Sequence, residues 1–382
     1  MKKVLMLQNK GKSYGGVWQV NRLVGEELIK NGYDVSVVSI RDNHEDIVVE
    51  HDPRLKVLTI NEKDWWSTYR GIDILEELKQ MHVFKSVKMI LSRIKYEILL
   101  KKDVRKLHAY IDAYNPDYIV TAHYQLLDMI PSKYLDITIN QQHSSFVDAI
   151  SHKATKKTSL KYNGKVKFLW LTENTMKKAK DYGLVNNSYI YNAVRLKSDK
   201  KADVDKNKKL ITITRISEVK RLDLMISMCE EIFKDKKFAD WVLEIYGDGE
   251  LENEIKAKIN NHKQIKLMGL TNNPMDELLK SSINLNTSLF EGFSMSILEA
   301  QECGVPTISF DCWESVSEEI VNNKTGFIVS DREEYINKLK QLMEDMELLE
   351  YMSCECRENS SNFQIEKIVK DWIKLFNEMD KK

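Results

Sequence analysis

The 382-residue sequence predicts an α/β protein built from two doubly wound parallel-sheet domains. Three observations predict it. The chain is longer than one ordinary core supports, so two domains of about 150–200 residues each are expected. Strand-like and helix-like runs alternate in each half, and a polar Lys/Asp-rich stretch at 197–208 interrupts the alternation.

The opening Lys3-Val4-Leu5-Met6-Leu7 reads as a buried parallel strand. The turn Tyr14-Gly15-Gly16 follows, then a helix with Val17, Val20, Leu23, Val24 and Leu28 on one face, stopped by Gly32. Val35–Ile40 completes a strand–helix–strand unit. Further strands are expected at Tyr118–Thr121, Ile137–Asn140, Phe168–Leu171 and Tyr189–Tyr191. Between them, residues 79–106 interleave Lys85, Lys88, Arg93, Lys95, Lys101 and Arg105 with Phe84, Val87, Leu91, Ile94 and Ile98. Such a basic amphipathic segment either lies in an anionic membrane interface or buries its apolar face on the first sheet.

Beyond 208, strands at Leu210–Thr214, Val242–Tyr246, Ile265–Met268, Ile283–Asn286, Thr307–Phe310 and Phe327–Val329 alternate with helices. A final amphipathic helix carries Ile365, Ile368, Val369, Trp372, Ile373 and Phe376 on one stripe. The expected organisation is 1–196, a linker at 197–208, 209–362, and a terminal helix in 363–382 that packs back towards the first domain.

Composition narrows the function. Hydrophobic content of 42%, charged content of 30% and five prolines exclude a disordered chain. Net charge is zero, yet residues 1–200 hold 33 Lys/Arg against 23 Asp/Glu, leaving 25 against 35 for the remainder, or +10 and −10. A basic first half favours an anionic partner surface through long-range steering. Five cysteines, without paired CxxC motifs or a His partner at ligand spacing, argue against a disulfide framework or a zinc site. With no signal-peptide pattern and no run approaching about 18 apolar residues, a cytoplasmic chain, at most peripheral on a membrane, is expected.

The strongest chemical signal runs from Ser288 to Ala300, after the strand Ile283–Asn286. Glu291 and Glu299 bracket a helix N-terminus whose amides, from Phe293 through Ser294 and Met295 to Ser296, make an anion site suited to a pyrophosphate. A carboxylate accepts two hydrogen bonds and so suits a vicinal diol, which would place Glu291 on sugar hydroxyls and Glu299 on a ribose.

These residues, with Gly15-Gly16, Asn192, Arg215 and Lys220, Gly247-Asp248-Gly249-Glu250, Gly304-Val305-Pro306, Asp311 to Glu318 and Gly326, resemble the retaining glycosyltransferases of family 4, members of the polysaccharide-assembly type included. The resemblance covers nearly the whole chain. It implies the GT-B fold, two Rossmann-like domains facing across a cleft, and transfer of a hexose or N-acetylhexosamine from a UDP-type donor to a glycan, lipid-linked or polymeric cell-surface acceptor. It implies Arg215, Lys220, Glu291 and His143 as the catalytic set, with His143 orienting the sugar. Gly15, Gly16, Gly247, Gly269, Gly292, Phe293, Ser294, Met295, Ser296, Glu299 and Glu318 would bind the donor. No metal or other cofactor, and no nucleic acid, is implied, because two cations can carry the diphosphate charge. The sequence departs from the family pattern at Thr214, where glycine is usual, and at Trp313-Glu314-Ser315-Val316, where a Pro/Gly-rich approach is usual. A non-catalytic GT-B subunit and a GT-B sugar-nucleotide epimerase stay open as alternatives.

Overall fold

A computed structural model describes residues 1–10, 16–41, 50–61, 83–195, 197–260 and 262–381. Gly15 and residues 79–82, both singled out by sequence, lie outside them.

Thirteen strands form in the described residues: β1 (Lys3–Lys10), β2 (Asp34–Arg41), β3 (Lys56–Asn61), β4 (Tyr118–Thr121), β5 (Thr138–Gln141), β6 (Lys167–Trp170), β7 (Asn187–Tyr189), β8 (Lys209–Ile213), β9 (Val242–Tyr246), β10 (Ile265–Gly269), β11 (Ile283–Asn286), β12 (Thr307–Phe310) and β13 (Gly326–Val329). They make a seven-stranded sheet in the order β3-β2-β1-β4-β5-β6-β7 and a six-stranded sheet in the order β10-β9-β8-β11-β12-β13. The central pairs are parallel, β1 with β2 and β4, and β8 with β9 and β11. Their apolar runs are buried on both faces, as a sheet flanked by helices requires.

Two expectations shift. β3 was not anticipated, because it is an edge strand whose residues are only partly buried. β7 ends at Tyr189, two residues early, because Tyr191 leaves the sheet and its ring stacks on Phe293 at 5.6 Å.

The chain divides into two compact units, Met1–Gln141 with Lys157–Phe168, and Gln142–Lys156 with Leu169–Lys382. Residues 142–156 and 169–196, expected in the first domain, therefore group with the second half. In the first unit, Leu5, Leu7, Val38 and Ile119 from the sheet pack with Leu107 and Ile111. These last two belong to one 32-residue helix, Val83–Tyr114, where the sequence left a pair of helices open. In the second unit, Leu210, Ile211, Leu243, Ile245, Ile283 and Ile308 form the sheet's share of a larger core. The terminal helix Ile365–Met379 buries Ile368, Val369, Trp372 and Phe376 as its stripe predicts, with Leu375 added.

Candidate active site

In the six-stranded sheet the strand order reverses at β8 and β11, which pair with each other, and loops leaving their C-terminal ends build an open α/β sheet's ligand crevice. Two such loops are tied together here. The Leu289 amide donates to the Val219 carbonyl at 2.8 Å, and the Thr287 hydroxyl donates to the Lys220 carbonyl at 2.7 Å. Arg221, left-handed at φ 48°, donates from Nε to the Thr287 carbonyl at 2.6 Å and sets its guanidinium 4.9 Å over the Phe310 ring. The result is a direct ion pair between Lys220 and Glu291, both largely shielded from water. Ser288 Oγ also donates to Glu291 Oε1 at 2.9 Å. Sequence reasoning found Lys220 and Glu291 but missed the scaffold of Thr287, Ser288 and Arg221.

Immediately after Glu291, the helix Met295–Glu302 begins with Ser294 as N-cap and no side-chain cap bond. Its first-turn amides lack intrahelical acceptors, and the dipole places positive potential there. One part of the expected anion site is corrected. The Ser294 amide is not free, since it donates to Glu319 Oε2 at 2.9 Å, which leaves Met295 and Ser296 as the first-turn donors. The other carboxylate oxygen, Oε1, accepts from Ser315 Oγ at 2.7 Å and Trp313 Nε1 at 3.2 Å. Complete burial raises the Glu319 carboxyl from 4.5 to about 7 against these three donors, and the nearby Glu291 charge adds to the rise.

Glu318, the neighbour that the sequence favoured, faces elsewhere. Its carboxylate accepts from the Glu173 and Asn174 amides at 2.9 and 2.8 Å, capping the helix Glu173–Asp181. It also accepts from the Tyr191 hydroxyl at 2.8 Å. Tyr191, Phe293 and Phe363 form an aromatic cluster. The Phe293 ring is thus an anchor that fixes where the helix cap begins. The hydrogen bonds of Glu318 go to the helix Glu173–Asp181 and to Tyr191 of the aromatic cluster, while Glu319 is the carboxylate bonded to the cap amide.

Gly292 and His143 are brought together. A Cβ on Gly292 would lie 2.0 Å from the His143 carbonyl oxygen and 2.6 Å from its carbonyl carbon, so only glycine allows the two backbones to touch. His143 is half-buried and sits one residue from Glu291 along this contact. Ser294 and Ser296 hydroxyls lie 3.1 Å apart.

Glu299 is 4% exposed, and its Oε1 forms an ion pair with Arg195 Nε at 2.9 Å. Burial pushes its carboxyl up, and Arg195 opposes the rise. The neighbouring Asn192 is 4% exposed, and its Oδ1 has no hydrogen-bond partner among the described residues. A ribose would have to share Glu299 with Arg195, a residue that sequence reasoning did not single out.

Arg215 pairs with a different carboxylate from Lys220. Its guanidinium is 73% exposed and meets Glu250 at 3.2 Å. Thr214 in place of glycine is accommodated because the close approach is made at Gly247. That residue has φ 137°, and a Cβ there would lie 1.8 Å from the Thr214 carbonyl oxygen. Gly269 ends β10, where its carbonyl accepts from the Gly247 amide at 2.8 Å. Gly16 begins the helix Gly16–Lys30, and a Cβ there would meet no atom of the described residues within 4 Å.

Residues 194–359 match the family model described as Glycosyl transferases group 1, a stretch that holds Arg215, Lys220 and both motif glutamates. Over 387 aligned positions the chain is 25% identical to an uncharacterized glycosyltransferase of Haemophilus influenzae, with 97% of this chain and 99% of that protein covered. It is 29% identical to the poly(ribitol-phosphate) alpha-N-acetylglucosaminyltransferase of Staphylococcus aureus over 171 residues, which is 43% of this chain and 34% of that protein. The solved structure of S. aureus TarM, in complex with fondaparinux, alpha-GlcNAc-glycerol and UDP, aligns with a TM-score of 0.75 at 17% identity over 99% of this chain and 100% of that chain. With two Rossmann-like parallel sheets and this likeness, the fold is GT-B.

Proposed function

We propose that the chain is a retaining, family-4-type glycosyltransferase that moves a hexose or N-acetylhexosamine from a UDP-linked donor to a glycan, lipid-linked or polymeric cell-surface acceptor. The observation that carries this reading is the Lys220–Glu291 ion pair beside a helix cap with open first-turn amides. A cation and helix amides suit a diphosphate, and a carboxylate suits sugar hydroxyls. The group 1 match over the same residues supports it, as do the sugar transfer named for the S. aureus relative and the UDP bound in TarM.

In the proposed front-face substitution, the acceptor oxygen bonds to the anomeric carbon as that carbon's bond to the phosphate oxygen breaks. The departing phosphate oxygen takes the acceptor's proton, while Lys220, Arg215 and the helix cap hold the charge that develops. Neither metal nor cofactor enters this route. Glu291→Gln keeps the shape but loses the carboxylate, and is expected to cut transfer by at least about 100-fold. Unimpaired transfer by that variant refutes the assignment.

Membrane contact belongs to the same reading. No helix among the described residues is long and apolar enough to cross a membrane. The helix Val83–Tyr114 is apolar on two opposite faces, one burying Met89, Leu107 and Ile111, the other exposing Phe84 (96%), Val87, Leu91 (60%), Ile94 and Ile98 (63%). Lys88, Lys95 and Lys102 flank the outer row at heptad spacing, an arrangement suited to an anionic interface on the cytoplasmic side. Co-sedimentation with phosphatidylglycerol vesicles, lost in Leu91→Asp/Ile98→Asp, is the expected result. Sedimentation unchanged by that pair removes the membrane from the account.

A further inference from the structure

We propose that a cavity of about 760 Å³ beside Glu291 is a subsite for a neutral sugar residue of the acceptor, and that phosphate-bearing units are excluded from it. The inference rests on the glycosyltransferase reading above and names the chemistry of its second substrate.

The described residues that wall the cavity all belong to the second compact unit, and its volume lies within the roughly 300–1,000 Å³ of ligand pockets. One wall is Leu289 and Phe290, the two residues that precede Glu291. They are 42% and 37% exposed, and Val147, also in the lining, is 56% exposed. Exposed apolar side chains at this density fit the C–H face of a sugar ring, which hides apolar area without taking a hydroxyl out of reach of a partner.

Most of the polar groups are supplied by two elements, with Asp148 added from the helix Phe146–Ser151. The helix Glu173–Asp181 turns Asn174, Lys177, Lys178 and Asp181 to the cavity, spaced as one helix face. The loop after β12 adds Asp311 and Glu314. The Glu314 side chain is only 3% exposed, where its Oε1 accepts from the Val147 amide at 3.3 Å and lies 3.5 Å from Lys178 Nζ. Asn174 Nδ2 donates to the Glu314 carbonyl at 3.3 Å and to Ser317 Oγ at 3.4 Å. These contacts hold the wall in place before any ligand arrives.

The charge balance decides the ligand class. The lining carries the carboxylates Asp148, Asp181, Asp311 and Glu314 against the cations Lys177 and Lys178. Both lysines are already engaged, Lys177 with Glu173 at 2.9 Å and Lys178 with Glu314. A phosphodiester or polyol phosphate placed here would face uncompensated like charge. A neutral sugar would meet acceptors for its hydroxyls and an apolar wall for its ring.

The test is saturation-transfer NMR on the full chain with UDP present. Methyl glucoside and methyl N-acetylglucosaminide are compared with glycerol 3-phosphate, for wild type and Val147→Trp. The indole fills the cavity from an exposed position and keeps the Val147 amide that Glu314 needs. UDP affinity is measured separately by calorimetry. The glycosides are expected to receive saturation and glycerol phosphate none, and Val147→Trp is expected to abolish the glycoside signal with the UDP affinity held within about twofold. Absence of glycoside signal, its survival in Val147→Trp, or an equal and Val147-sensitive signal from glycerol phosphate overturns the proposal. Glycoside binding that Val147→Trp abolishes, in a chain that binds no UDP, would sink the donor reading and leave the subsite standing.

Discussion

Replacing Glu319 by glutamine tests whether a buried carboxylate holds the helix cap from below. The Glu319 carboxyl is wholly buried and lifted from 4.5 to about 7, mainly by loss of water and further by Glu291. A folded-state value above the unfolded one means that the folded chain binds this proton more tightly. The stability it contributes is therefore fully present below about pH 4.5, falls as pH rises to about 7, and is level above that. A rise from 4.5 to about 7, at about 1.4 kcal/mol for each step of one in pKa, comes to about 3–4 kcal/mol over the window. Glutamine retains an acceptor for the Ser294 amide but cannot titrate. Urea unfolding of both chains from about pH 4.5 to about pH 8 gives the difference in stability directly, and wild type is expected to lose about 3–4 kcal/mol relative to Glu319→Gln across it. Parallel pH profiles would refute the buried-carboxylate reasoning, because a solvated Glu319 has no reason to titrate differently in the two states.

Gly292→Ala drives a Cβ into the His143 carbonyl, and since both atoms belong to backbone the strain is expected to cost about 1–3 kcal/mol and to depress sugar transfer more than UDP binding. Stability and activity within error of wild type would show that the contact yields freely. Arg195→Met leaves the Glu299 carboxylate buried without its cation. A loss of about 2–3 kcal/mol is expected, below that of a fully buried pair because Arg195 keeps some water, and the second change Glu299→Gln should recover most of it. Failure of that rescue in urea unfolding would show that the pair is not what Arg195 supplies.

Much of this was legible in the sequence. The two sheets announce themselves in short apolar runs such as Val35–Ile40 and Ile283–Asn286, which periodicity alone locates to within a residue or two. The cap at Ser294 and the Lys220 and Glu291 beside it were readable because each sits at a strand-to-helix junction, where chain order fixes geometry. Glu318 and Glu319 were not separable, since adjacent residues on a helical turn point about 100° apart and no local signal says which faces the core. Arg195 meets Glu299, and His143 meets Gly292, through tertiary packing between segments far apart in sequence. The basic amphipathic segment was recognised at 79–106, but not that both faces of its helix are apolar, because the inner face is defined only by the sheet that covers it.

In the proposed reaction Lys220 and the Met295–Glu302 helix cap grip a diphosphate. Isothermal titration of UDP, GDP and ADP, free and sugar-linked, into wild type and Lys220→Ala tests it most directly. At least one of these ligands is expected to bind wild type and to bind Lys220→Ala at least about tenfold more weakly, the loss of one charge-assisted contact. Binding of none of them, or equal affinity in the two chains, would show that Lys220 and the cap hold no diphosphate.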